Sequence, residues 1–132
     1  MNQADVALVK KAYEAYGRGD TEAIIASVAP DAHWEFVGRR EEHKPFGARR
    51  GPEGAREFFK ALTETEDYSE FTPKEFHLST TGDKLFVLGH AEGKVKPSGQ
   101  PFAGDWVHVF EVKNGKISSW RGFMDTSQFV AH

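Results

Sequence analysis

The chain has 132 residues, with 17 basic and 20 acidic side chains and a formal net charge of −3. That balance gives no electrostatic case for nucleic acid, which calls for a clustered basic face. The absence of cysteine excludes disulfides and thiol chemistry, and the length suits one domain over residues 1–132 with a core that needs no staples.

Apolar residues at 39% and charged residues at 28% are an ordinary soluble balance. The aromatic share of 13% is high, and aromatic walls are common around ligand cavities. The first twenty residues, MNQADVALVKKAYEAYGRGD, lack the apolar run of a signal peptide, and no stretch is long and apolar enough to span a bilayer. A cytoplasmic location without membrane contact is expected.

In chain order, residues 3–17 read as a helix. Val6, Val9, Ala12 (or Tyr13) and Tyr16 fall on one face, and Gly17 and Gly19 end it. Asp20 reads as the N-cap of a second, short helix with an apolar side of Ile24, Ile25 and Val28, stopped by Pro30. DAHWEFVG (31–38) alternates and reads as a strand. Residues 39–50, polar with Pro and Gly, read as a loop. GPEGAREFFKALTET (51–65) is a third helix, with Pro52 in its first turn and Ala55, Phe58, Phe59 and Leu62 turned inward. Residues 71–83, 84–96, 101–113 and 116–125 read as strands separated by Gly-Asp, Pro-Ser-Gly and Asn-Gly turns. Helices followed by a meander predict an α+β domain, three helices packed on one face of a curved antiparallel sheet.

The last hairpin carries His108 between Trp106 and Phe110. A two-residue Asn114-Gly115 turn sets His108 opposite Arg121, whereas a three-residue loop with a Gly115 bulge sets it opposite Trp120. The second is preferred because it gathers Trp106, His108 and Phe110 with Ser118, Trp120, Gly122 and Met124 on one face. Val107, Val109, Ile117, Arg121 and Phe123 then fall on the other.

YEAYGRGDTEAIIASVAPDAHWEF (13–36), PFGARRGPEGAREFFKAL (45–62) and WVHVFEVKNGKISSWRGFMD (106–125) together resemble the nuclear-transport-factor-2-like superfamily, which includes ketosteroid isomerase and the SnoaL-like polyketide cyclases. The resemblance implies a cone, the cystatin-like α+β roll, with a strongly curved antiparallel sheet around a deep apolar pocket. It also implies a homodimer through the outer face of the sheet. The fold hosts many reactions, so function must be argued from the site.

Carried over residue by residue, the carboxylate base of ketosteroid isomerase falls on or beside Phe36, which takes no proton. Its oxyanion tyrosine falls near Ala12, with Tyr13 and Tyr16 as substitutes, and its protonated aspartate falls on His108. The aspartate of the cyclases falls on Gly122, with Asp125 three residues further. The Asp-Arg-Asp set of the epoxide hydrolases cannot be placed on Asp105, Arg121 and Asp125 without breaking strand alternation.

What remains is a histidine in an aromatic cavity, desolvated by Trp106 and Trp120. His108, His90 and Asp125 are the candidate catalytic residues, with His90–His108 as an acid/base couple. Trp106, Trp120, Trp34, Phe36, Tyr13, Tyr16, Phe110 and Met124 are the candidate ligand contacts. His33, His43, His77 and His132 have no ligand spacing, so no metal is expected, and no cofactor. Three functions compete. The first is a cofactor-independent isomerase, cyclase or hydrolase with His-centred acid/base chemistry on a small hydrophobic molecule. The second is a binding module for such a molecule, and the third a dimeric interaction domain.

Overall fold

The structure is a computed structural model that describes residues 1–130; His132 lies outside the described residues. Helix α1 (Gln3–Gly17) starts from a capping box in which Asn2 and Asp5 bond each other's backbone, a reciprocal arrangement that satisfies two of the open N–H groups of the first turn. Helix α2 (Thr21–Ile25) is capped by Asp20, as expected, but ends before Val28, which opens the next strand. Helix α3 (Gly51–Thr65) has Pro52 in its first turn and buries Ala55, Phe58, Phe59 and Leu62.

Strands β1 (Val28–Phe36), β2 (Gly47–Arg50), β3 (Glu66–Leu78), β4 (Leu85–Val95), β5 (Pro101–Lys113) and β6 (Lys116–Phe123) form one sheet among the described residues, in the order β2-β1-β6-β5-β4-β3. The sheet is mixed rather than wholly antiparallel, because β1 and β6 run parallel. Their pairing closes the first strand onto the last, with Trp34 beside Trp120 and Phe36 beside Gly122. A short 3-10 turn (Thr126–Phe129) follows β6 and buries Phe129.

The segment expected as a polar loop between β1 and α3 contains strand β2 and buries His43, Pro45, Phe46 and Arg49. Arg49 holds it in place: Nη1 donates to the Pro45 carbonyl and Nη2 to the Lys44 carbonyl, each at 2.9 Å. A buried guanidinium is tolerated because its donors are matched by acceptors.

The β5–β6 register differs from both expectations. Lys113 pairs with Lys116, so the turn is the two-residue Asn114-Gly115, with φ of 53° and 73°. Both values suit a type I′ turn, whose twist matches that of the strands. A bulge then inserts Ser118, since Val112 pairs with Ile117 but Glu111 with Ser119. His108 therefore faces Gly122, neither Trp120 nor Arg121. The shift from the preferred register is two residues, so the inward face still carries Trp106, His108, Phe110, Trp120 and Gly122. Two residues expected to face outward do not: Ile117, on the turn side of the bulge, is fully buried, and Phe123 lines the cavity.

No helix among the described residues is long and apolar enough to cross a membrane.

Candidate functional site

Between sheet and helices lies an apolar cavity of about 80 Å³. Helix α1 supplies Tyr13 and Tyr16, and β1 supplies Trp34 and Phe36. Strands β5 and β6 supply Trp106, His108, Phe110 and Trp120, and Met124 follows β6. Alternation explains the set: residues two apart on a strand share a face, and residues three apart on a helix are neighbours. Helix α3 adds Phe58, Phe59 and Leu62, and β3 adds Tyr68 and Phe71.

At the centre of the wall, Tyr13 Oη and His108 Nδ1 are 2.7 Å apart. The imidazole is packed between rings, with Trp106 stacked at 4.0 Å and the edge of Trp120 at 5.1 Å between centroids. Burial among these rings lowers the His108 pKa to about 3, since no carboxylate stands near to offset the lost hydration. Burial likewise holds the Tyr13 phenol well above its ordinary value. At neutral pH the pair is a neutral imidazole and a neutral phenol. They own two hydrogens between them and make one mutual bond. Whichever tautomer forms, one donor and one acceptor are left over for a ligand.

Two other polar atoms in the wall are unspent. The indole nitrogens of Trp34 and Trp106 are buried without a hydrogen-bond partner, among the described residues. Buried donors are normally satisfied, so these are further points at which an acceptor would be welcome.

His90 and Asp125 do not join the site. His90 falls on the outer face of the sheet, because its inward neighbours on β4 are Gly89 and Ala91. Asp105 and Glu92 hold its ring at 2.9 Å and 2.8 Å, and those hydrogen bonds, Glu92 first, raise its pKa. No His90–His108 couple exists. Glu70, His90 and Glu92 bring ligand atoms within 4.8 Å of one another out there, but both imidazole nitrogens are already engaged by carboxylates. Asp125 is exposed and caps the 3-10 turn, accepting from the Ser127 amide and hydroxyl.

The polar residues that sequence reasoning missed are Glu66, His43 and Tyr68. Glu66 is buried at the start of β3, with Oε2 2.6 Å from His43 Nε2 and Oε1 accepting from Tyr68 Oη at 2.6 Å. In TETEDY, nothing local separates Glu66 from its exposed neighbours Glu64 and Asp67. His43 stood in a segment whose charges argued for solvent.

The sequence matches the family model described as the SnoaL-like domain over residues 9–120, and the chain belongs to that family. An NTF2-like protein of unknown function from Burkholderia pseudomallei superposes with a TM-score of 0.86, at 22% identity over 99% of this chain and 100% of its own. An NTF2-like protein from Burkholderia xenovorans is 30% identical, with a TM-score of 0.83 over 98% of this chain and 95% of its own. TerC, co-crystallised with polyporic acid, is 22% identical, with a TM-score of 0.82 over 96% and 95%. No curated protein matches the sequence. The architecture is thus the NTF2-like cone of three helices and a six-stranded mixed sheet.

Proposed function

We propose that this SnoaL-like protein binds a small, mostly apolar, carbonyl-bearing molecule in its cavity. The Tyr13–His108 pair bonds and polarises the carbonyl, in cofactor-independent acid/base chemistry of the isomerase or cyclase kind. The observation that carries this reading is the 2.7 Å contact between Tyr13 Oη and His108 Nδ1 inside an apolar wall. A donor held in a water-poor site interacts with developing negative charge far more strongly than in water. A neutral imidazole can serve as that electrophile. The crystallisation of TerC with polyporic acid supports an organic ligand on this fold.

The cavity, at about 80 Å³, is smaller than the roughly 150 Å³ apolar cavity that admits benzene. A ligand of one ring or more therefore enters with a shift of the surrounding side chains.

Binding without catalysis is the second reading, and one observation favours it. None of the residues lining the cavity is a carboxylate, and His108 with a pKa of about 3 is a weak base. Acetophenone in D2O separates the two. Catalysis predicts exchange of its methyl hydrogens faster than in buffer, lost in His108→Gln. Binding with no exchange leaves only the second reading. An absence of any binding sinks both.

The outer face of the sheet, where Val107 is exposed beside half-buried Val109, supports a homodimer; a monomeric mass in sedimentation equilibrium would refute it.

A further inference from the structure

The geometry points to a second polar station in the same cavity and to the ligand class it selects, an inference that rests on the carbonyl-binding reading above. Glu66 is the first residue of β3, and its side chain is wholly covered by protein. A buried carboxylate must have its oxygens matched by donors. Here His43 and Tyr68 do so, each at 2.6 Å. Tyr68 has a single hydroxyl hydrogen and commits it to Glu66. Its oxygen is left with acceptor capacity only.

Tyr68 lines the cavity. Tyr16 stands beside it, with ring centroids 6.4 Å apart. Burial and the Glu66 charge hold both phenols above their ordinary pKa, so neither ionises to compete with a ligand hydroxyl. Phe71 lies between this station and the first, its ring 5.4 Å from Tyr68 and 6.2 Å from His108 between centroids. The wall thus reads as a polar group, an aromatic ring in contact with both stations, and a second polar group.

A matching ligand is a small aromatic carbonyl compound with a hydroxyl at the end remote from the carbonyl. The carbonyl meets the Tyr13–His108 pair and the hydroxyl donates to Tyr68 Oη. Glu66 acts as a positioning residue, because it fixes which way the Tyr68 hydrogen points. His43 holds Glu66 from behind, stacked on Phe129 at 4.9 Å.

Acetophenone and 4-hydroxyacetophenone test this, with binding followed by tryptophan fluorescence. The wild-type chain is expected to prefer the hydroxylated compound about five- to tenfold, the value of one added hydrogen bond. Tyr68→Phe should reduce that preference to twofold or less, and Glu66→Gln should reduce it at least twofold. Bound to the wild type, 4-hydroxyacetophenone should keep its neutral-phenol absorption at a pH where the free compound is ionised. Tyr68→Phe should abolish that protection. Acetophenone binding with no preference for the hydroxylated analogue, or a preference that survives Tyr68→Phe, overturns the second station alone. If neither compound binds, the carbonyl-binding reading falls with it. Tyr68→Phe keeps the ring and the His43–Glu66 pair, so the test does not depend on a variant that loses the core.

Discussion

His108 and Gly122 are direct cross-strand partners, and the glycine leaves the space beside the imidazole that Trp120 fills. A methyl group at position 122 would lie 2.7 Å from Trp120 Cζ2 and 3.3 Å from His108 Cδ2. The tryptophan ring is packed on Trp34 and Phe58 and has nowhere easy to go. Gly122→Ala should therefore destabilise the protein by about 1–3 kcal/mol, the usual cost of overpacking. Urea unfolding measures it. A variant as stable as the wild type, with unchanged tryptophan emission, would show that Trp120 is not confined by this contact.

Tyr13→Phe removes the hydroxyl bonded to His108 and keeps the ring. It should cost about 1–3 kcal/mol, the penalty for leaving a buried polar group unmatched. In nitrogen NMR, the His108 Nδ1 resonance should move while those of exposed His33 and His77 stay in place. An Nδ1 signal indifferent to the mutation would mean that the 2.7 Å contact is not a hydrogen bond in solution.

Acid should weaken the fold through His108. Its folded pKa, about 3, lies below the ordinary value of 6.5. As pH falls below 6.5 the unfolded chain takes up a proton that the folded chain refuses, and stability declines until the folded pKa is reached. At pH 5 the decline from this group amounts to about 2 kcal/mol. Above 6.5 its slope fades over about one pH unit. Comparing the wild type with His108→Phe between pH 7 and pH 5 isolates the effect. Equal slopes for the two proteins would contradict a neutral, buried imidazole.

His43→Leu leaves Glu66 buried with Tyr68 as its remaining partner. Breaking a buried pair in this way typically costs about 3–5 kcal/mol, whereas replacing both members with apolar groups costs far less. The double variant His43→Leu/Glu66→Leu should therefore be more stable than His43→Leu alone. Denaturation of all four proteins closes the cycle. Additive losses would mean that the 2.6 Å contact carries no coupling.

Much of the architecture was legible locally. Helix α1, Asp20 as a cap, α3 with its inward Phe58, Phe59 and Leu62, and β5 at residues 101–113 all follow from periodicity and turn chemistry. The aromatic face of the last hairpin was legible too, because a register error of two residues preserves which way each side chain points.

Alternation along each strand, fixed by the chain itself, decided that Trp106, His108 and Phe110 would share a surface with one another. Tertiary structure decided the rest. The Ser118 bulge chose Gly122 as the partner of His108, and the parallel β1–β6 pairing brought Trp34 to Trp120. Folding of residues 39–50 against the core buried His43 on Glu66, 23 positions away. A backbone period reports the direction of a side chain within its own element. It carries no information about which distant element arrives to cover it, and burial, pKa and polar pairing all depend on that arrival.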